Sequence, residues 1–219
     1  MLPPITPFLL RRRALLAGAA LALATAPRSR TASGQAAQLL PTPPQTAGPF
    51  YPVDWSGDID GDLVRVIGEA ARAQGVVTHL RGRVLDPRGK PLPGALVEIW
   101  QCDAFGHYRH PRDRQDGRDP GFQGRGRVIA GPDGTYAFRT IRPVPYPGRT
   151  PHIHAAVVTQ GHEPLVTQFY VAGEPMNERD FLFRSLRDSS QREAVLLRLE
   201  PADRLEAGAL LASRDIVLG

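Results

Sequence analysis

Pro151-His152-Ile153-His154-Ala155-Ala156-Val157-Val158 reads as a β-strand. Residues two apart on a strand share a face, so the imidazoles of His152 and His154 can converge on one ion. Six residues upstream of His152, Tyr146 sits in the Pro-rich turn Pro143-Val144-Pro145-Tyr146-Pro147-Gly148. Tyr108 lies further back, in Phe105-Gly106-His107-Tyr108-Arg109-His110. Imidazole alone suits zinc, copper, iron or nickel. Two phenolates are hard anionic oxygen donors and favour a hard trivalent cation, with ferric iron the natural candidate. Taken singly, each piece has a plainer reading. His-x-His occurs on strands that bind nothing, Tyr146 would serve as an aromatic turn plug with a wet hydroxyl, and Tyr108 alone says little. The case rests on the arrangement.

The flanking sequence has the same short-strand character. Leu80 to Leu85 precedes the turn Asp86-Pro87-Arg88-Gly89-Lys90-Pro91, and Ala95 to Trp100 follows it. Gly131-Pro132-Asp133-Gly134 leads into Thr135 to Arg139, which alternates cleanly; Leu165 to Val171, Ala194 to Leu199 and Asp215 to Leu218 complete the set. Short strands with turns between them predict an all-β chain folded as a β-sandwich. Residues 104–127 are too long and too rich in Gly, Arg and Asp for a tight connection, and loops of that kind are often functional. Glu178 to Leu186 predicts a short helical region. Residues 38–77 form an extended Pro/Gly-rich lead-in, to which Phe50, Tyr51 and Trp55 give something to pack with. Asp58-Ile59-Asp60-Gly61-Asp62 lacks the terminal glutamate of a calcium loop and is discounted.

At 219 residues the chain supports one sizeable domain, placed at residues 78–219. Residues 1–37 read as an export signal: Arg11-Arg12-Arg13, an apolar run from Ala14 to Ala24, then small residues. The consecutive arginines point to the twin-arginine route of bacterial export, with an ordinary secretory signal as the alternative. Either predicts a periplasmic or secreted protein, and the run is too short to leave a stable membrane span. Five of the 27 basic residues lie in that segment, which leaves 22 against 22 acidic ones. The remainder is formally neutral, so the high pI gives no reason to expect a nucleic-acid partner. Cys102, the only cysteine, excludes an intrachain disulfide and reads as a small buried hydrophobe rather than a nucleophile.

In order and flanks, these motifs resemble the intradiol ring-cleavage dioxygenases, the family of catechol and protocatechuate dioxygenases. The likeness begins at Gln45-Thr46-Ala47-Gly48-Pro49-Phe50-Tyr51-Pro52. It runs through Val97-Glu98-Ile99-Trp100-Gln101 and Gly106-His107-Tyr108 to Arg149-Thr150-Pro151-His152-Ile153-His154 and Thr167-Gln168-Phe169-Tyr170. The single short domain looks more like a protocatechuate-dioxygenase subunit than the longer catechol enzymes. The resemblance implies a transthyretin-like, intradiol-dioxygenase β-sandwich whose long loops carry a non-haem Fe(III) site. Its ligands would be Tyr108, Tyr146, His152 and His154, with Tyr146 displaced when a catechol chelates the iron and helping to take up its protons. Arg149 would stabilise developing charge and bind substrate, Gln168 would orient a ligand or the substrate, and Tyr51 would cover the pocket mouth. The implied reaction inserts both atoms of O2 into a catechol-type diol, opening the ring between the hydroxyls to a muconate-type diacid. A homo-oligomer is compatible with it. Only five residues separate Tyr146 from His152, fewer than in the best-known members, which alters a pocket wall. Two other readings stand beside the enzyme: an exported, non-enzymatic sandwich module that kept the fold, and a zinc- or copper-binding protein built on the His-x-His strand.

Overall fold

The structure is a computed structural model that describes residues 38–113 and 116–219; the export signal expected over residues 1–37 lies outside them. Two five-stranded sheets face each other. The first contains β1 (Val77–Leu85), β4 (Thr135–Ile141), β8 (Leu199–Pro201), β9 (Leu210–Ser213) and β10 (Ile216–Val217). The second runs in the order β3 (Arg125–Ile129), β2 (Leu96–Trp100), β5 (His152–Val158), β6 (Leu165–Val171) and β7 (Leu196–Leu197). Period-two alternation supplies the core: Leu80, Val84 and Phe138 of the first sheet pack with Val97, Ile99, Ile153, Ala155 and Phe169 of the second. Leu63 and Val64 of the lead-in are fully buried in the same cluster.

The opposite face of the second sheet is covered too. Trp100 of β2 and Ala156 of β5 join Cys102 and Tyr108 in a smaller buried cluster. Ala47, Phe50, Val144 and Tyr146 pack onto it, so the lead-in, the loop after β2 and the Pro-rich turn together roof that face. β5 is therefore buried on both sides over His152 to Val157. Within this roof Cys102 is enclosed, and burial pushes its thiol up to about 12, so it stays protonated and inert.

Several elements differ from the sequence-based expectation. β3 begins inside the stretch expected to be loop; Gly126 in it lies where a Cβ would sit 2.3 Å from the Asp60 carbonyl oxygen. A glycine required by close backbone approach and two arginines hid a strand that pairs with β2 along its length. The run from Ala194 to Leu199 divides: Ala194 caps a helix, Leu196–Leu197 joins the second sheet and Leu199–Pro201 the first. The helical region starts earlier than expected, as a 3-10 turn at Pro175–Arg179, and continues after Asp180 as α1 (Phe181–Ser185). A further short helix, α2 (Ser189–Glu193), and β9 had no distinct sequence signal.

Arg139 of β4 ties the lead-in and the loop before β9 to the first sheet. Its guanidinium donates to both carboxylate oxygens of Glu206, at 2.8 and 2.7 Å, and to both of Asp62, at 3.0 and 3.1 Å. The Arg139 hydrogen bond is the largest influence holding the Glu206 carboxyl down at about 2. A depressed carboxylate contributes stability above its unfolded value, lost as pH falls through the folded one. Arg139→Ala is expected to lower neutral-pH stability by about 0.4–2 kcal/mol, since two partly exposed pairs contribute about 0.2–1 each. In urea titrations the gap between variant and wild type should close as pH falls from about 4.5 towards 2.

Candidate metal centre

Four donors gather under the roof. On β5 the even residues face away from the sandwich core, which places His152 and His154 side by side with their Nε2 atoms 3.2 Å apart. Two imidazoles bound to one ion at about 2.0–2.1 Å each hold their nitrogens at about this separation. The Nδ1 of His152 lies 2.6 Å from the Thr150 carbonyl oxygen, so it carries the proton and Nε2 keeps its lone pair. Burial, then Arg149, lowers His152 to about 4, while burial, His152 and Arg149 hold His154 well below the usual imidazole range. Both rings are neutral at ordinary pH, the form that ligates.

Tyr108 enters from the loop after β2. Asp103 shapes that loop by accepting from the amides of Phe105, His107 and Asp119, and Asp113 accepts from the Tyr108 amide at 2.5 Å. The Tyr108 hydroxyl is buried and finds no hydrogen-bond partner of ordinary geometry among the described residues. Burial above all, with Cys102 and Tyr146 adding to it, raises its pKa well above the usual phenol value. An orphaned buried hydroxyl costs free energy. A cation at the two Nε2 atoms would satisfy it and reverse its titration. Tyr108 and Tyr146 meet ring to ring at 5.6 Å, Tyr108 and His154 at 6.2 Å, and Tyr146 and His152 at 5.5 Å. Among the described residues no group of three His, Cys, Asp or Glu is placed to hold a metal. The two neighbouring phenols would supply the further donors, and their hardness fits ferric iron.

The short connection to His152 is resolved by a tight turn. Arg149 donates its amide to the Tyr146 carbonyl at 2.9 Å, with Pro147 and Gly148 between them and Gly148 at φ +83°. Tyr146 is thus folded back beside the histidines, half-buried where the other three donors are enclosed. Burial raises its pKa and Arg149 opposes the rise.

Arg149 is the hub of the polar contacts. It donates from Nε to Asp180 at 2.7 Å, from Nη2 to Gln168 at 2.6 Å and from Nη1 to the Tyr146 hydroxyl at 3.3 Å. Gln168 is held in turn by the Thr46 carbonyl and opposes His154 across the sheet. Tyr51 is not brought to the donors; its hydroxyl donates to Glu98 on β2. Phe50 stands there instead, stacked on Tyr108 at 4.6 Å, and Gly48 approaches so closely that a Cβ would lie 3.4 Å from the His154 ring. Trp100 is fully buried and stacks on His154 at 4.9 Å.

Residues 46–207 match the sequence profile of the Dioxygenase family. The protocatechuate 3,4-dioxygenase beta chain of Burkholderia cepacia is 35% identical over 179 residues, covering 78% of this chain and 76% of that one. The chain belongs to the intradiol ring-cleavage dioxygenase family. Another member, the hydroxyquinol 1,2-dioxygenase of Nocardioides simplex, is 34% identical over 65% of this chain but only 51% of its own length. Among solved structures, the dioxygenase domain of a dioxygenase–carbohydrate-binding fusion from Streptomyces sp. SirexAA-E superposes with a TM-score of 0.63. It is 34% identical and covers 81% of this chain and 97% of that domain.

Asp180 is the site residue that sequence reading missed. One carboxylate oxygen accepts from Arg149 and the Thr150 amide, the other caps α1 by accepting from Leu182 and Phe183. Burial pushes its carboxyl up, yet the Phe183 amide, Arg149 and the Thr150 amide hold it below the usual range. Asp before an apolar run is a helix-cap signal and would have located it. In this intradiol dioxygenase Asp180→Asn keeps an acceptor for the cap but removes the charge opposite Arg149. Breaking a buried pair in this way is expected to lower stability by about 3–5 kcal/mol, measured by chemical unfolding.

Proposed function

We propose that this chain is a non-haem ferric intradiol dioxygenase for a catechol-type diol, with Tyr108, Tyr146, His152 and His154 as the metal ligands. The observation that carries it is the gathering of two neutral imidazoles, an orphaned buried phenol and a half-buried phenol into one cluster of neighbouring rings. Ferric iron, when bound, supplies a Lewis acid that ionises the diol and activates its ring towards dioxygen. His152, His154 and Tyr108, all enclosed, give a rigid three-sided frame. Tyr146, half-buried on a surface turn, is the least enclosed of the four. Its phenol is raised in pKa by burial, so as a phenolate it would be a base able to take a diol proton, with Arg149 Nη1 beside its oxygen to hold it. Arg149, fixed by Asp180 and Gln168, presents a positive charge beside the reacting ring without reorganisation. Phe50 and Trp100 exclude water from the enclosed side.

The visible spectrum of the iron-loaded protein tests this reading. A broad phenolate-to-iron charge-transfer band that shifts on adding catechol is the expected result; a colourless protein after iron loading overturns it. We also propose that residues 1–37 direct export by the twin-arginine route. Arg11-Arg12-Arg13 before an apolar run supports this, and cell fractionation of the full chain tests it.

A further inference from the structure

Tyr51 belongs to a row of rings leading away from the metal centre. The His154 imidazole and the Trp100 indole lie face to face, centroids 4.9 Å apart and planes 5° from parallel. Tyr51 meets Trp100 edge-on at 5.0 Å, and Trp55 meets Tyr51 at 6.2 Å. Trp100 is fully buried whereas Tyr51 is 38% exposed, so the row runs from the centre to solvent. Its polar contacts are ordered as well. The Tyr51 hydroxyl donates to Glu98 Oε2 at 2.9 Å; Glu98 is buried and pairs through Oε1 with Arg127 at 2.9 Å. The Arg127 guanidinium lies 4.0 Å over the Trp55 ring.

We propose that Trp100 and Tyr51 form a relay that carries one-electron oxidising equivalents from the His154 side of the centre to the surface, sparing the ligands. The proposal rests on the ferric-centre reading above. A phenol gives up an electron readily only when its proton has somewhere to go, and the Glu98 carboxylate already accepts that hydrogen bond. Trp55 is a poor terminus, because the guanidinium over its face disfavours a second positive charge there. Tyr51 is therefore where the oxidising equivalent stops and where a reductant in solution can meet it.

The oxidant is a hydroperoxide, and the reductant is a diol of the substrate class. In the balanced reaction one hydroperoxide and one diol give one alcohol, one water and one quinone. With iron bound, the centre would supply cleavage of the O–O bond, and the two electrons this takes would come one at a time from Tyr51 through Trp100. At each step the Tyr51 proton passes to Glu98, and a diol hydroxyl at the surface returns a hydrogen atom to the Tyr51 oxygen. Glu98 releases its protons to the solvent, which supplies those needed for the alcohol and water.

The test mixes the iron-loaded protein with hydrogen peroxide, freezes it and records electron paramagnetic resonance, with peptide mapping of oxidised side chains. A tyrosyl signal that falls severalfold in Tyr51→Phe and in Glu98→Gln is expected, together with a shift of oxidation damage from Tyr51 to the ligand side chains in Tyr51→Phe. An equal signal and unchanged damage in both variants overturns the relay while the charge-transfer band stays. Absence of that band in the wild-type protein overturns the ferric-centre reading, and the relay with it.

Discussion

Tyr108→Phe is expected to abolish the visible band and iron retention while leaving the metal-free protein at least as stable as the wild type. The two halves of this expectation have one cause. The Tyr108 hydroxyl is enclosed and has no hydrogen-bond partner of ordinary geometry among the described residues, so in the metal-free protein it is a desolvated dipole with nothing in return. Removing such a group leaves no unpaired partner behind and relieves a penalty of about 1–3 kcal/mol. The ring itself stays, stacked on Phe50 at 4.6 Å, so packing is kept. In the proposed ferric site the same oxygen would be a ligand. Its loss should weaken iron binding by more than the about 10–100-fold typical of groups that only support ligands. Iron content after dialysis and thermal unfolding of the metal-free form check the two halves. A zinc or copper protein held by the histidines alone would retain its metal in this variant.

Arg149→Gln is expected to lower kcat by about 10²–10³ with a smaller change in KM, the range seen when one preorganised charge-stabilising donor is removed. Its three hydrogen-bonded nitrogens point at three different residues, Asp180, Gln168 and Tyr146, which only a planar fork can reach at once. Arg149→Lys keeps the charge but not the fork and is expected to recover little of the loss. Steady-state kinetics on catechol for both variants make the comparison. Full activity in the lysine variant would show that charge without direction is enough.

The sandwich and the placing of His152 and His154 on one face were legible in the sequence because both rest on local rules. Leu165 to Val171 was expected as a strand and is β6 without change, and the His-x-His pair faces one side because strand period is two. Elements that depend on distant partners were not legible. β3 is a strand because β2 lies beside it and because Gly126 lets the Asp60 backbone approach, neither of which its own composition announces. Phe50 and Tyr51 illustrate the limit within the site. They are adjacent aromatics in one Pro-rich segment; Phe50 stacks on Tyr108 while Tyr51 bonds to Glu98. The cap role of Asp180 is local, but its pairing with Arg149, 31 residues away, has no sequence signal.

The two-sided burial of β5 makes iron uptake a check on how the sheet has been assembled. Sliding this strand by one residue against β2 and β6 would turn Ile153 and Ala155 outwards and drive both imidazoles into the greasy interior. Such a misaligned chain could still be compact, but it would have no imidazoles to offer. A protein carrying the phenolate colour has therefore aligned three neighbouring strands correctly. Colour development during refolding would time that alignment, separately from collapse.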